Sequence, residues 1–437
     1  MAMAPEATTT GVLSDLRVLD LTGPIGHYAG RLLADLGADV VKVEPVEGDP
    51  ARRWAPALPG VPAPEASVPF VLLNANKRGV TLDLAAERGR AAFLRLLATV
   101  DVLLESWTPA EAARLGLTDD VLREVRPDLV HASVTGWGTS GPYAEWAYAD
   151  IVANAMSGVM TLAGFVDGPP EQLPDHQGYH AASINAAAGV LAALLHRDAT
   201  GEGQRVEASM FESLLMAEET AMQQADILGT DRGRTGGQGA LGFKMPGLGI
   251  YETTDGHVYS MCTGNAGSGF PGLVQLMRAL DGSTHLDEEP YASFITTSMN
   301  TTQVMALMGD PERAPQVRVL LAEIETEVTA FFARHPKETV YVRGQGLRVL
   351  VGAVNGPAEI LASAQLGARD WWHDIDDPTR GRLHYPGFPW ALAGTPATLR
   401  RPAPLLGEHT DEVLREAGLS ATECGTLRTA GVLGGAR

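Results

Sequence analysis

A chain of 437 residues with 45% hydrophobic and 20% charged side chains has the composition of a soluble globular protein, long enough for one large or two ordinary domains. Its net charge of −20 argues against non-specific binding to nucleic acid or an anionic membrane, yet leaves room for a local basic patch that holds an anionic ligand. Cys262 and Cys424, the two cysteines, make neither a disulfide framework nor a zinc pattern, so no metal is expected and a reducing cytoplasm is the simpler setting. Residues 1–13 lack the basic and apolar regions of a signal sequence and read as a loose terminus, and no uninterrupted apolar run reaches the roughly 18 residues of a membrane helix.

Arg17 to Leu21 reads as a buried strand, Gly23 to Gly26 as a turn, His27 to Leu36 as an amphipathic helix stopped by Gly37, and Asp39 to Glu44 as the next strand. That is a βαβ unit, hence a parallel sheet. A dinucleotide fold with Glu44 on a ribose is the rival reading, but Gly23 and Gly26 are a weak match to the glycine triplet it requires. Gly48-Asp-Pro-Ala-Arg-Arg53 then leads into an irregular Pro-rich loop through Pro64. In Asn74-Ala-Asn-Lys77-Arg78-Gly-Val-Thr-Leu82-Asp83-Leu84, two cations precede a strand; they can hold phosphates, or be a solvated pair at a strand start. A helix follows over Ala86 to Leu97.

Asp101 to Pro109 is a strand running into a turn, then a helix that carries Arg114 and ends Leu-Gly-Leu; Trp107 is placed to flank an adenine or to fill core. Leu129 to Gly138 is a strand and glycine loop. The Pro- and Gly-punctuated stretch 167–178 feeds a helix, Ala181 to His196, so rich in Ala, Leu and Val that it is expected to bury most of its sides. Thr200-Gly-Glu-Gly-Gln204 stops it. Beyond lie a strand from Arg205 to Met210, a long helix from Glu212 to Leu228 and a glycine loop over 233–249. A hairpin over 248–261, turning at Asp255-Gly256, is followed by a mostly helical stretch to about Arg343.

Several of these segments, LLADLGADVVKVEP (32–45), DGPP (167–170), GVLAALLHR (189–197), TGEGQRVEASMFES (200–213) and the closing PLLGEHTDEVL (404–414), resemble the class III CoA-transferases. This is the CaiB/BaiF group, with the formyl-CoA and carnitine CoA-transferases and the α-methylacyl-CoA racemases. The resemblance implies an α/β fold: a Rossmann-like parallel-sheet large domain built from both chain ends (1–225 and 346–437), a glycine-rich linker (226–244) and a smaller inserted domain (245–345). It implies an interlocked homodimer that takes an acyl-CoA and a small carboxylic acid. The CoA nucleotide is then expected beside Lys77, Arg78, Leu82, Asp83, Leu84, Ala85, Ser106, Trp107, Thr108 and Arg114.

The same alignment exposes a departure at the reaction centre. The family's nucleophilic Asp falls on Tyr179, its active-site Gln on Pro24, and a position usually held by Pro on His27. Asp150 matches a characteristic family Asp, while the preceding residue, His in the racemases, is Ala149. In the family, that nucleophile takes the acyl group as a mixed anhydride and then carries CoA as a thioester, which requires a carboxylate. Tyr179 is a phenol with an ordinary pKa near 10, so the route is not expected to run through it. Asp175, four residues upstream, is a substitute carboxylate if the helix extends back to it, against which Pro174 and Gly178 argue. Two alternatives stay open: acid–base chemistry on an acyl-CoA (isomerisation, racemisation or elimination) by His27, Tyr179 or His180, and CoA binding without catalysis.

Overall fold

The computed structural model describes residues 11–218, 220–236, 244–263 and 267–434, so the first ten residues of the expected loose terminus and much of the 233–249 glycine loop lie outside the described residues. The chain divides into two units: one of residues 1–160, 172–223 and 364–437, the other of residues 161–171 and 224–363.

The larger unit is built on six strands, β1 (Arg17–Leu21), β2 (Asp39–Glu44), β3 (Arg78–Thr81), β4 (Val102–Glu105), β5 (Val130–Thr135) and β6 (Arg205–Ser209). They run in the order β3-β2-β1-β4-β5-β6 and every pairing is parallel, with Arg17 opposite Asp39 and Val18 opposite Val102. This is the Rossmann-like α/β architecture expected, and its strands are apolar on both faces because helices cover both. Val18, Val40, Val102 and Val130 pack with Leu32 and Leu33 of the His27–Asp35 helix and with Ala182, Ala186 and Val190 of the Gln177–Thr200 helix. On the opposite face, Leu19, Val41, Val80 and Leu103 meet Phe93, Leu96 and Leu97 of the Glu87–Leu97 helix, and Val413, Leu414 and Leu427 from the C-terminal segment. Both chain ends therefore close one core.

The Gln177–Thr200 helix does not bury most of its sides. Ala182, Ala186, Val190 and Ala193 are buried, whereas Ile184 and Leu195 are 51% and 71% exposed. Small side chains bring one face close to β6: a Cβ on Gly189 would come within 2.7 Å of Val206. By length and composition this helix would pass for a membrane span, but its small-residue face is part of the sheet core. The helix expected over Glu212 to Leu228 is instead two, Met210–Leu215 and Ala221–Leu228, the first capped by the Ser209 hydroxyl, which accepts from the Glu212 N–H.

The second unit has a three-stranded antiparallel sheet, β7 (Leu248–Thr253), β8 (Gly256–Met261) and β9 (Val351–Ala353), with helices that include Gly269–Asp281, Ala314–Ala333 and Lys337–Gly346. Phe270, Leu273, Ile324, Val328, Phe331 and Phe332 fill its core. The expected hairpin is β7–β8, with Gly256 already in the strand. The unit reaches past the expected boundary at 345 for a physical reason: Val351 pairs with Ser260, and the Lys337 ammonium reaches the Val354 carbonyl at 3.0 Å and Glu359 at 2.6 Å. A further hairpin, β10 (Trp372–Asp377) with β11 (Gly381–Pro386), belongs to the larger unit, where Leu383 and Tyr385 pack with Val71 and Ala75.

Candidate active site

In an open parallel sheet, ligands collect beyond the strand C-termini where the strand order reverses, here between β1 and β4. The segments after these two strands are tied together, the Gly23 N–H donating to the Ser106 hydroxyl at 3.1 Å. A groove of about 490 Å³ opens there, within the usual range for ligand pockets. Its walls include Leu82, Asp83, Leu84 and Ala85 after β3, Ser106 and Trp107 after β4, and Arg114 on the Pro109–Leu115 helix. Seven of the ten residues expected around the nucleotide thus share one groove. Trp107 is 8% exposed, its backbone N–H donating to Glu105, while the Arg114 side chain is 63% exposed and, among the described residues, pairs only with Glu111, at 3.8 Å.

Three of the ten are elsewhere. Lys77 is fully buried; its ammonium donates to Asp20 at 2.7 Å, to the His27 carbonyl at 2.8 Å and to Asn74 at 2.8 Å, which uses all three protons. Arg78 is locked to Asp39 beside it and to Glu412 and Glu416 of the Thr410–Glu416 helix. The partners of both cations are the fold's own carboxylates. Thr108 caps the Pro109–Leu115 helix, accepting from the Glu111 N–H at 3.2 Å, and lines a separate cleft of about 180 Å³ with Glu105, His131 and Arg205.

Across the Gly23-Pro24 turn lies a second cavity, of about 230 Å³, lined by Pro24, Tyr28, Trp54, Val68, Pro69, Leu72, Leu73, Asp175, His176, Tyr179, His180 and Ser183. Trp54, His176 and Tyr179 form a stack: Trp54 and His176 are 4.7 Å apart and inclined at 18°, and His176 and Tyr179 are 5.2 Å apart at 14°. Tyr28 meets His180 edge-on at 5.0 Å. Tyr179 is carried on the first turn of its helix. The cap comes from outside that helix, because the buried Asp150 carboxylate accepts from the Gly178 N–H at 2.7 Å. A Cβ on Gly178 would approach that carboxylate to 2.8 Å, so the close fit requires glycine. Asp150, expected as a catalytic group, lines neither cavity and instead positions Tyr179.

The electrostatics oppose a nucleophilic phenol. Burial pushes the Tyr179 hydroxyl up, and the Asp150 charge adds to the shift. Tyr148, on the groove wall, is likewise pushed up by burial and by Tyr179. Both phenols therefore stay protonated near neutral pH, as donors. Burial lowers the His180 pKa, and His176 adds to the shift.

His27, expected as a proton shuttle, reaches neither cavity. It is sealed in, with Nε2 2.9 Å from Asp49 and Nδ1 accepting from the Asn74 amide at 3.3 Å, and burial lowers its pKa. It is one link in a buried network: Lys77–Asp20, Lys42–Asp49 at 3.2 Å, and the Lys42 ammonium donating to the Thr22 carbonyl. The network lies under the turn that separates groove from cavity. Asp175 is not part of the helix, which starts at Gln177, yet it borders the same cavity from the loop before it, with φ of 55°.

Sequence reading missed Trp54, His176 and Tyr28, and the Lys42–Asp49–Asp20 network beneath. Trp54 directly follows the Gly48–Arg53 stretch, a lone tryptophan at the mouth of a Pro-rich loop, which was the one available signal.

Comparison with known proteins agrees with this geometry. Residues 13–410 match the family described as CoA-transferase family III. A succinyl-CoA:(R)-benzylsuccinate CoA-transferase subunit BbsE of Thauera aromatica is 32% identical, covering 96% of this chain and 98% of that protein. A formyl-CoA:oxalate CoA-transferase of Streptomyces avermitilis is 34% identical, covering 97% and 100%. Among solved structures, a CAIB/BAIF family protein from Brucella suis superposes with a TM-score of 0.77 at 25% identity, covering 93% of this chain and all of that one. With its strand order, its switch-point groove and this match over nearly its whole length, the chain belongs to CoA-transferase family III.

Proposed function

We propose that this chain is the acyl-CoA-binding subunit of an enzyme that transfers CoA between carboxylic acids, and that the carboxylate acylated during transfer belongs to a second chain of the same family. The observation that carries the first half is the groove at the β1/β4 switch point, with an uncommitted Arg114 and a fixed Trp107 on its wall. The adenine end of CoA lies against Trp107, its phosphates meet Arg114, and the thioester end runs past Gly23 and Tyr148 toward the cavity that holds Tyr179.

The second half follows from Tyr179. Two identical copies would both carry the phenol, so a homodimer would bring no carboxylate to this position, whereas a partner with Asp there would. The benzylsuccinate relative is itself named as a subunit, which is in keeping with such a pair. Buried, unpaired Cys262 and Cys424 fit a cytoplasmic enzyme.

Within the pair, the partner's carboxylate oxygen attacks the thioester carbonyl, a C–O bond forms, the C–S bond breaks and CoA thiolate leaves. The thiolate then attacks the aspartyl carbonyl and releases the first acid as its carboxylate. The second acid repeats the two steps in reverse and departs as the new acyl-CoA. This chain binds the thioester and donates hydrogen bonds from Tyr148 and Tyr179 to its oxygen, the role that two protonated phenols suit.

The test is a gain of function. The chain alone, incubated with acyl-CoA and hydroxylamine, is expected to show no modified carboxylate by peptide mass spectrometry. Tyr179→Asp is expected to become modified at residue 179 and to gain transferase activity unaided. A wild-type adduct at Asp175 would overturn the two-chain reading in favour of self-sufficient transfer. Solvent deuterium entering the acyl α-carbon without any adduct would replace transfer by acid–base chemistry.

A further inference from the structure

The cavity around Tyr179 has a chemistry of its own, and it points to the kind of acid the enzyme handles. Resting on the groove as the CoA site, we propose that this cavity is the acyl subsite and that it takes a bulky ring-bearing acid, an arylalkanoyl group, rather than a small dicarboxylic one.

Three observations carry this. The first is size: a dry apolar cavity of about 150 Å³ is enough for benzene, so about 230 Å³ holds a phenyl-sized ring with a short chain leading to the thioester. The second is shape. Trp54, His176 and Tyr179 are inclined to one another by no more than 22° and stack along one wall, an array of near-parallel rings that a planar ring can extend. The third is charge: among the described residues no Lys or Arg lines the cavity, burial lowers the His180 pKa, and Asp175 places a carboxyl group on the wall. A second carboxylate on the acyl group would find no cation here and would face Asp175, while an apolar ring meets Val68, Pro69, Leu72 and Leu73. Tyr179 then has a positive role in place of the lost nucleophile. It is part of the wall that the ring packs against, and its hydroxyl is left to the thioester end.

The experiment compares CoA, succinyl-CoA and 3-phenylpropanoyl-CoA by calorimetry on the full chain. The arylalkanoyl thioester is expected to bind roughly tenfold or more tightly than CoA, and succinyl-CoA no more tightly than CoA. Leu72→Trp, at a position 37% exposed and so tolerant of substitution, should fill the cavity and erase that gain while leaving the affinity for CoA itself unchanged. Val68→Phe is a second, smaller filler with the same expected direction. Equal binding of all three thioesters, or a gain for succinyl-CoA, would overturn the proposal while the CoA groove stands. Should CoA itself fail to bind, the groove reading falls. The cavity is then judged by free 3-phenylpropanoate quenching tryptophan fluorescence: a quench absent in Trp54→Phe and Leu72→Trp supports the subsite, and no quench overturns it.

Discussion

Lys77, just before β3, and Arg114, on the helix after β4, are cations set against one parallel sheet, and they do opposite work. Lys77 is wholly enclosed and holds Asp20, Asn74 and the end of a turn together, whereas Arg114 stands at 63% side-chain exposure with one distant carboxylate for company. Arg78 and Arg52 side with Lys77: Arg52 donates four hydrogen bonds, to Glu44 at 2.6 and 2.8 Å, to Glu65 at 2.9 Å and to the Pro404 carbonyl at 3.1 Å. What separates the two kinds is the number of internal acceptors within reach. A cation whose every N–H is used by the fold has nothing left for a phosphate, however suggestive its sequence context.

The sharpest way to break this contrast is to remove Lys77. Lys77→Ala leaves the buried Asp20 carboxylate its hydrogen bonds from Thr22 but removes its direct ion-pair partner, and is expected to cost roughly 3–5 kcal/mol of stability in urea denaturation. Near wild-type stability together with weakened CoA binding would put Lys77 back among the ligand residues.

Acid titration probes the same pair from the other partner. Burial by itself would raise the Asp20 carboxyl, but Lys77, Lys42 and His27 overcome it and hold the group at about 2, below its ordinary 3.8. A carboxyl depressed in the folded state contributes stability that is fully present above 3.8 and is lost as pH falls toward about 2. That contribution is about 2 kcal/mol, and Asp20→Asn should flatten the fall between those two pH values. An unchanged slope in the variant would mean that other carboxylates carry the acid sensitivity.

On the groove side the effects are smaller and concern the ligand. Arg114→Ala should weaken CoA binding about tenfold, with the difference shrinking as salt is raised, because an exposed charge–phosphate contact is screened. Its melting temperature should not move, and a clear drop would show Arg114 to be structural after all. The smallest effect is expected at Thr108, where Thr108→Ala removes a helix cap, costs about 1 kcal/mol of stability and leaves the affinity for CoA unaltered.

How much of this was legible beforehand follows the range of the interactions. Arg17–Leu21 and Asp39–Glu44 form where they were expected, since short apolar runs bounded by Gly and Pro report a buried parallel strand by themselves. Leu82 to Ala85, Ser106, Trp107 and Arg114 come together because the strand order dictates which turns share an edge. The expectation that Tyr179 stands where the family carries its nucleophilic Asp was likewise drawn from the sequence and its family resemblance.

The tertiary structure alone decided which polar groups face inward. Lys77 finds Asp20, 57 residues away, and Arg78 finds Glu412 and Glu416 more than 330 residues on; no local pattern encodes partners so remote. The same holds for His27, sealed against Asp49, and for Trp54, which reaches His176 and Tyr179 across more than a hundred residues to make the aromatic wall. Periodicity and turn residues specify strands and helices because those depend on neighbours along the chain. Whether a charged or aromatic side chain serves the core or a ligand depends on partners brought in by the fold, and that is settled only when the sheet and its chain ends close around it.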